Sequence, residues 1–186
     1  MADLITTYSG ASHFADNVNF EVQRQGHFEI DIDLSTLRPP LGNGDDYQKH
    51  IRLSCTEAKI PELSVASVDL RHGNEKIKVA GSPDFKDISI KVYDTIGMDM
   101  VGLLQEWFHR IFNPVTHTMG LVTTYKTSAR LYLYSPDATV IRKWEVFGVF
   151  PTNLSFGELS YDNSGSVITI SIDLAVDKAL ESIEQK

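Results

Sequence analysis

A chain of 186 residues with 42% hydrophobic and 23% charged residues is long enough for one well-cored domain and has the composition of an ordinary globular one. Its formal charge of −8 comes without the clustered Lys and Arg that grip a phosphate backbone, its single cysteine excludes an intrachain disulfide, and no apolar run reaches bilayer length. Met1–Ile5 offers neither a basic lead-in nor a long apolar stretch, so no secretory leader and a cytoplasmic synthesis are expected.

Residues 1–17 are small and polar without a sustained period and are expected to be an extended arm, with one domain over 18–186 that becomes ordered near Asn19–Val22. His27–Leu34 alternates: Phe28, Ile30, Ile32 and Leu34 share one face, and His27, Glu29, Asp31 and Asp33 the other. The Pro39-Pro40 and Gly42-Asn43-Gly44 steps mark residues 37–46 as a loop. His50–Thr56 alternates again and predicts a strand, with Ile51, Leu53 and Cys55 inward and Arg52, Ser54 and Thr56 outward. Leu63–Leu70 and Lys76–Ala80 flank His72-Gly73-Asn74-Glu75, whose Gly-Asn step suits a tight reversal, so a long hairpin is expected until Gly81-Ser82-Pro83 breaks it. Ile88–Tyr93 begins the next strand.

From Gly97 to Phe112, Val101, Leu104, Trp107, Phe108 and Ile111 recur at helical spacing, and Asn113-Pro114 closes that helix. Ala129–Tyr134 is a strand turned by Ser135–Ala138 toward Val140, and Val167–Leu174 is an alternating strand near the end. The tail from Ala175 sets Val176, Leu180 and Ile183 on one stripe, predicting a short closing helix. Seven or eight strands around one helix, with no linker and no internal repeat, predict an all-β fold with one flanking helix, built as a sandwich or a partly closed barrel.

Chemistry that would mark an enzyme is sparse. The six histidines (13, 27, 50, 72, 109 and 117) form no metal-ligand spacing, and His109 reads as a helix-surface residue. Asp162–Ser166 lacks the closing Glu of a calcium loop and reads as a turn. No Gly-x-Ser-x-Gly elbow occurs, Cys55 reads as a structural thiol, and the glycines at 42 and 44 are followed by acids that would repel phosphate. Glu29, Asp31 and Asp33 lie on one strand face, whereas a glycosidase pair comes from strands across a cleft. Such a face is wet or functional. No catalytic, cofactor-binding or metal residue is assigned.

Arg142-Lys143-Trp144-Glu145 leads into an apolar strand, Val146–Phe150, that Pro151 is expected to end. Phe156–Asp162 then makes an acidic turn toward the last alternating strand. This order, basic, tryptophan, strand, Phe-Pro, loop, acidic turn, strand, resembles the C-terminal half of the tube proteins of contractile bacteriophage tails. The resemblance runs from about Val18 to Val176. It includes the step Ile60-Pro61-Glu62-Leu63 after the Cys55 strand, although Glu stands where the family carries glycine after the proline, and a helix with a central Trp at Leu104–Phe108.

The resemblance implies two packed antiparallel sheets, homohexameric rings stacked into a tube, a surrounding sheath, and baseplate and terminator partners. It also implies a non-enzymatic virion protein of the tail, without cofactors or membrane contact, past which DNA travels without specific binding. Under it, Glu29, Asp31, Asp33 and Asp173 are expected to face the lumen, and Leu70, His72, Asn74, Lys76 and Lys78 to reach another ring or subunit. Related readings are the tube of a type VI secretion or tailocin device and a baseplate tube initiator. A carbohydrate-binding sandwich is the reading from a different class, with Trp107 or Trp144 as an exposed platform, although both tryptophans fall in apolar periodic segments that predict burial.

Overall fold

The computed structural model describes residues 23, 25–42, 44–157, 160, 165 and 167–183. The expected arm at 1–17, the ordered start at Asn19–Val22 and, Gly165 apart, the turn at 162–166 lie outside the described residues.

The chain is mostly β. Strands β1 (Phe28–Ile32), β2 (Cys55–Ala58), β5 (Ile88–Tyr93), β8 (Thr127–Tyr134), β9 (Val140–Ser155), β10 (Thr169–Ala175) and β11 (Lys178–Ile183) form one seven-stranded antiparallel sheet. Its order is β1-β8-β9-β10-β5-β2, with β11 also on β9. Strands β3 (Leu63–His72) and β4 (Glu75–Phe85) form a separate two-stranded sheet, and Phe112–Asn113 (β6) with Thr118–Met119 (β7) a minimal one. The two packed antiparallel sheets of the sequence reading are present as two layers that share β9, which makes them one continuous path. Its ends, β1 and β2, are not paired with each other, so the barrel is not closed.

One long strand makes this possible. The first part of β9 pairs with β8 on one side and β11 on the other, and its second part, Phe150–Ser155, pairs with β10. Strands β10 and β11 thus run in succession along β9, and both long edges bend at the same level. There Gly148 takes φ +68°, and the amide of Asp177, between β10 and β11, donates to the Phe147 carbonyl at 3.1 Å. Lys126 donates to both Asp177 carboxylate oxygens, at 2.6 and 2.8 Å, and lies 5.3 Å from the centre of the Phe150 ring. Strands that pass from one packed layer to another turn at such bulges.

Folding the sheet over gives a single core. Ile30, Ile32, Leu131, Trp144 and Val146 from one half meet Ile90, Val92, Ile170, Ile172 and Leu174 from the other, all buried. Helix α2 (Met100–Ile111) adds Met100, Leu103, Leu104 and Trp107. Its N-cap Asp99 accepts from the Gly102 amide at 2.8 Å, which satisfies a donor that the first turn leaves without a helical partner. The Trp107 indole donates to the Tyr125 carbonyl at 2.8 Å, tying α2 to the short helix α3 (Val122–Tyr125).

Four elements differ from the sequence reading. Residues 50–54 are helical, within α1 (Gly44–Ser54), and Cys55 opens β2. Asp45 and Asp46 suit the positive first turn, and Ile51 packs inward from either period; Leu53, 83% exposed, and buried Ser54 show that the helical period prevails. Pro151 does not end β9: it is paired with Leu174 beside a bulge at Thr152, a place where a missing N–H is tolerated. Gly81-Ser82-Pro83 does not break the hairpin but forms a bulge inside β4. The tail is a strand rather than a helix, because Lys178–Ile183 completes the ladder along the first part of β9.

A Cβ on Gly148 would collide with the Asp177 carboxylate, and its φ is one that L residues adopt at a cost of about 1–2 kcal/mol. Gly148→Ala is expected to lower the unfolding temperature by about 4–8 °C, read by calorimetry, as about 2 kcal/mol does in a domain of this size.

Candidate assembly surfaces

The four carboxylates expected to line a passage do not form one cluster. Glu29 and Asp31 lie on the polar side of β1, where α1 approaches: Arg52 Nε stands 2.8 Å from Glu29, and Gln48 donates to Asp31 at 2.6 Å. Arg130 on β8 adds a second contact to Asp31 at 3.6 Å, and the Tyr134 hydroxyl donates to Glu29 at 3.3 Å. Both side chains are mostly covered, 25% exposed for Glu29 and 15% for Asp31. Each carboxylate has an arginine, so this face is charge-compensated rather than acidic. The same pattern continues inward, where Lys143 stands 2.6 Å from Glu145; their mutual contact raises the lysine pKa and lowers the glutamate's.

Asp33 follows β1 and accepts from the Ser35 hydroxyl at 2.7 Å, while its carbonyl accepts from Thr36 and from buried Thr127. Asp173 lies in the other half of the sheet, on β10, and accepts from Asn153 Nδ2 at 3.0 Å. Around it the register places Ser171, Thr169, Ser89, Lys91 and Ser155 on the same side, opposite the buried Ile170, Ile172 and Leu174. This side carries several Ser and Thr groups, the exposed Tyr93 and, toward β2, the ion pair of Lys91 with Glu57 at 2.8 Å, with Asp173 at its centre.

The hairpin expected to reach a neighbour stands apart from the core. Leu63, Val65, Val68, Leu70, Ile77 and Val79 are each 38–58% exposed, and nearly every residue of β3 and β4 is open. Gly73 at φ +63° supplies the reversal. Of the residues singled out at its tip, Leu70 (opposite Ile77) and His72 (opposite Glu75) share one face, and Lys76 (opposite Arg71) and Lys78 (opposite Asp69) share the other, with Asn74 in the turn. Composition gave no signal that the apolar side chains of this hairpin would stay open among the described residues.

Trp107 and Trp144 are 0% and 5% exposed, so neither offers an open ring face. A cavity of about 740 Å³ opens between the two ends of the sheet, with Phe28, Leu133 and Trp144 on one side and Ala58 and Ile60 on the other. Among the described residues, no group of three or more His, Cys, Asp or Glu is placed to hold a metal, and no helix is long and apolar enough to cross a membrane.

Residues 18–178 match the family described as phage tail tube protein. The chain belongs to that family. It is 28% identical over 131 residues to the tail tube protein gp19 of Enterobacteria phage T4, an alignment covering 69% of this chain and 80% of the relative; the T6 protein is 27% identical over the same length. In fold it is similar to the tube-terminating cap of the anti-feeding prophage (TM-score 0.65, 17% identity, 92% of this chain and 99% of that one). It is similar also to a chain of the sheath–tube complex of an extracellular contractile injection system in its extended state (TM-score 0.63, 15% identity, 94% and 99%). As a tail tube protein it is a structural component of a contractile tail.

Burial pushes the Cys55 thiol up to about 11 from 9.0, with its Sγ 3.3 Å from the Glu57 carbonyl. At pH 8 only about one thiol in a thousand is then thiolate. Alkylation by iodoacetamide is expected to be roughly 100-fold slower in the native protein than in denaturant, followed by mass spectrometry.

Proposed function

We propose that copies of this chain close head-to-tail into homohexameric rings, and that the rings stack into a hollow tube inside a contractile sheath. The role is structural, and no catalytic step is assigned. The observation that carries this reading is the hairpin β3–β4, whose apolar side chains are 38–58% exposed and find no cover among the described residues. Patches of that kind on a soluble protein mark contacts with other molecules. A head-to-tail interface whose rotation closes produces a ring and removes open strand edges such as β1 and β2. The relatives named tail tube proteins, and the neighbouring fold seen in a sheath–tube complex, support sheath, baseplate and terminator proteins as further partners. The match to two phage proteins favours DNA as the cargo over the proteins carried by injection devices.

The lumen we assign combines the expected carboxylates unequally. Asp173, among short polar groups on an open side of the sheet, is its best-placed member. Asp33 adds to it, while Glu29 and Asp31, held by Arg52 and Arg130, contribute little net charge. A wall of Ser, Thr and Asp groups whose one lysine, Lys91, is held by Glu57 gives a phosphate backbone little counterion-release contact. At the tip, Leu70, His72, Asn74, Lys76 and Lys78 are assigned to inter-subunit or inter-ring contact.

Electron microscopy of the purified protein at rising concentration is expected to show six-fold rings or uniform hollow tubes, and the same protein with residues 66–82 replaced by a short Gly-Ser turn is expected to remain monomeric. In assembled tubes, an Asp173→Cys thiol is expected to resist a bulky maleimide and react once the tube is dissociated. Rapid labelling of intact tubes would place Asp173 on the outer surface instead.

A further inference from the structure

The hairpin has two apolar faces, and they point in opposite directions. In β3, Leu63 and Val65 lie on one side, and Val68 and Leu70, of the other parity, lie on the opposite side. Strand β4 would not follow this switch unaided, because Ile77, Val79, Pro83 and Phe85 are all odd-numbered and would share one face of a regular strand. The bulge changes that: Val65 is paired with Pro83 but Ser67 with Ala80, so Gly81 and Ser82 together oppose Ala66. One extra residue flips the side-chain parity of β4 to match β3. The root half therefore presents Leu63, Val65, Pro83 and Phe85 on one face, and the tip half presents Val68, Leu70, Ile77 and Val79 on the other.

Gly81 is the residue that permits this. A Cβ there would stand 3.0 Å from the Ala66 carbonyl oxygen and 3.1 Å from Val68 Cγ2, tighter than nine in ten such contacts, so the neighbouring strand would have to give way. Behind the apolar tip patch, Arg71, Lys76 and Lys78 outnumber Asp69, a local charge of +2 on a chain whose total is −8. Ten extended residues reach about 30 Å, which carries the tip clear of its own core.

We propose that each hairpin is held between two different copies of this chain, one covering the root face and the other the opposite tip face, with the Gly81–Ser82 bulge as the device that separates them. The proposal rests on the ring-and-tube reading and adds to it that two distinct interfaces share one hairpin. The occupant is another copy because the basic back of the tip suits an acidic body, and this chain's own body carries the acidic excess. A single partner lying on one side of the hairpin would leave four apolar residues uncovered on the other. A head-to-tail assembly offers each subunit two unlike neighbours, which a two-faced element can engage at once.

The test compares three variants that keep strand-favouring residues: Leu70→Thr/Ile77→Thr for the tip face, Leu63→Thr/Val65→Thr for the root face, and insertion of one Thr after Ala66 opposite the bulge. Sedimentation velocity and electron microscopy would follow the assembly of each beside the unaltered protein. Loss of one interface is expected to arrest the tip and root variants at different species, each needing at least ten-fold more protein to reach tubes. An added Thr after Ala66 gives Gly81 and Ser82 one partner each, removes the bulge, turns the tip face to the same side as the root face, and is expected to arrest where the tip variant does. If both variants stop at the same species, or either assembles as the unaltered protein does, the two-interface proposal is overturned while the tube reading stands. If the unaltered protein forms no rings or tubes under any condition that seeds tubes of its relatives, the tube reading itself fails.

Discussion

A sheet of seven strands encloses a core only if it turns back over itself, and in this chain the turn depends on one corner. Gly148 in β9 takes a left-handed conformation, Asp177 joins β10 to β11 at the same level, and Lys126 binds the Asp177 carboxylate from the neighbouring segment. The glycine is needed twice, for its backbone geometry and because any side chain would strike Asp177. From that corner, the first part of β9 serves one layer and the second part the other, so the apolar sides of both layers meet around Trp144, Ile90 and Ile172. The polar sides then point outward by necessity, since strand side chains alternate. What a tube wall needs, wet surfaces on a rigid plate, follows from this folding-over rather than from any specialised residue.

The hairpin breaks that logic. Elsewhere the strands bury one side in the core and expose only scattered apolar residues such as Tyr93, Phe147 and Leu180, yet β3 and β4 carry nearly all of theirs in the open. A two-stranded ribbon without a packing surface is marginal in water, and burying such a side chain is worth on the order of 1 kcal/mol or more. The hairpin on its own is therefore weakly supported, and the proposed association would supply the missing cover. Membership of the tail tube family and the exposed hairpin agree on this point from independent directions.

Much of the architecture was legible in the residues. The alternation of Phe28, Ile30 and Ile32, the hairpin around Gly73, the helix carrying Leu104 and Trp107, and the two buried tryptophans all follow from local period and turn chemistry. The readings that failed share a cause: each turned on a tertiary partner. Residues 50–54 fit two periods, and the choice was made by the core around Ile51. Pro151 looks like a terminator until the bulge opposite Leu174 is known, and the tail becomes a strand only because β9 leaves an edge to be paired. At the candidate site, the acidic run at 29, 31 and 33 was visible, but not the arginines at 52 and 130 that neutralise two of its members. The open polar side around Asp173 is assembled from three strands, β5, β9 and β10, that lie far apart in the chain or are separated by a loop, so no local pattern announces it.

The claim on which this account stands is that the hairpin is ordered by other copies of the chain. Amide hydrogen exchange, compared between dilute monomer and assembled material, reads that directly, because a weakly supported ribbon opens often and a clamped one does not. The account predicts that residues 63–85 exchange fast in the monomer and become strongly protected on assembly, more than the segments of the core. Tubes whose hairpin amides exchange as fast as in the monomer would contradict it.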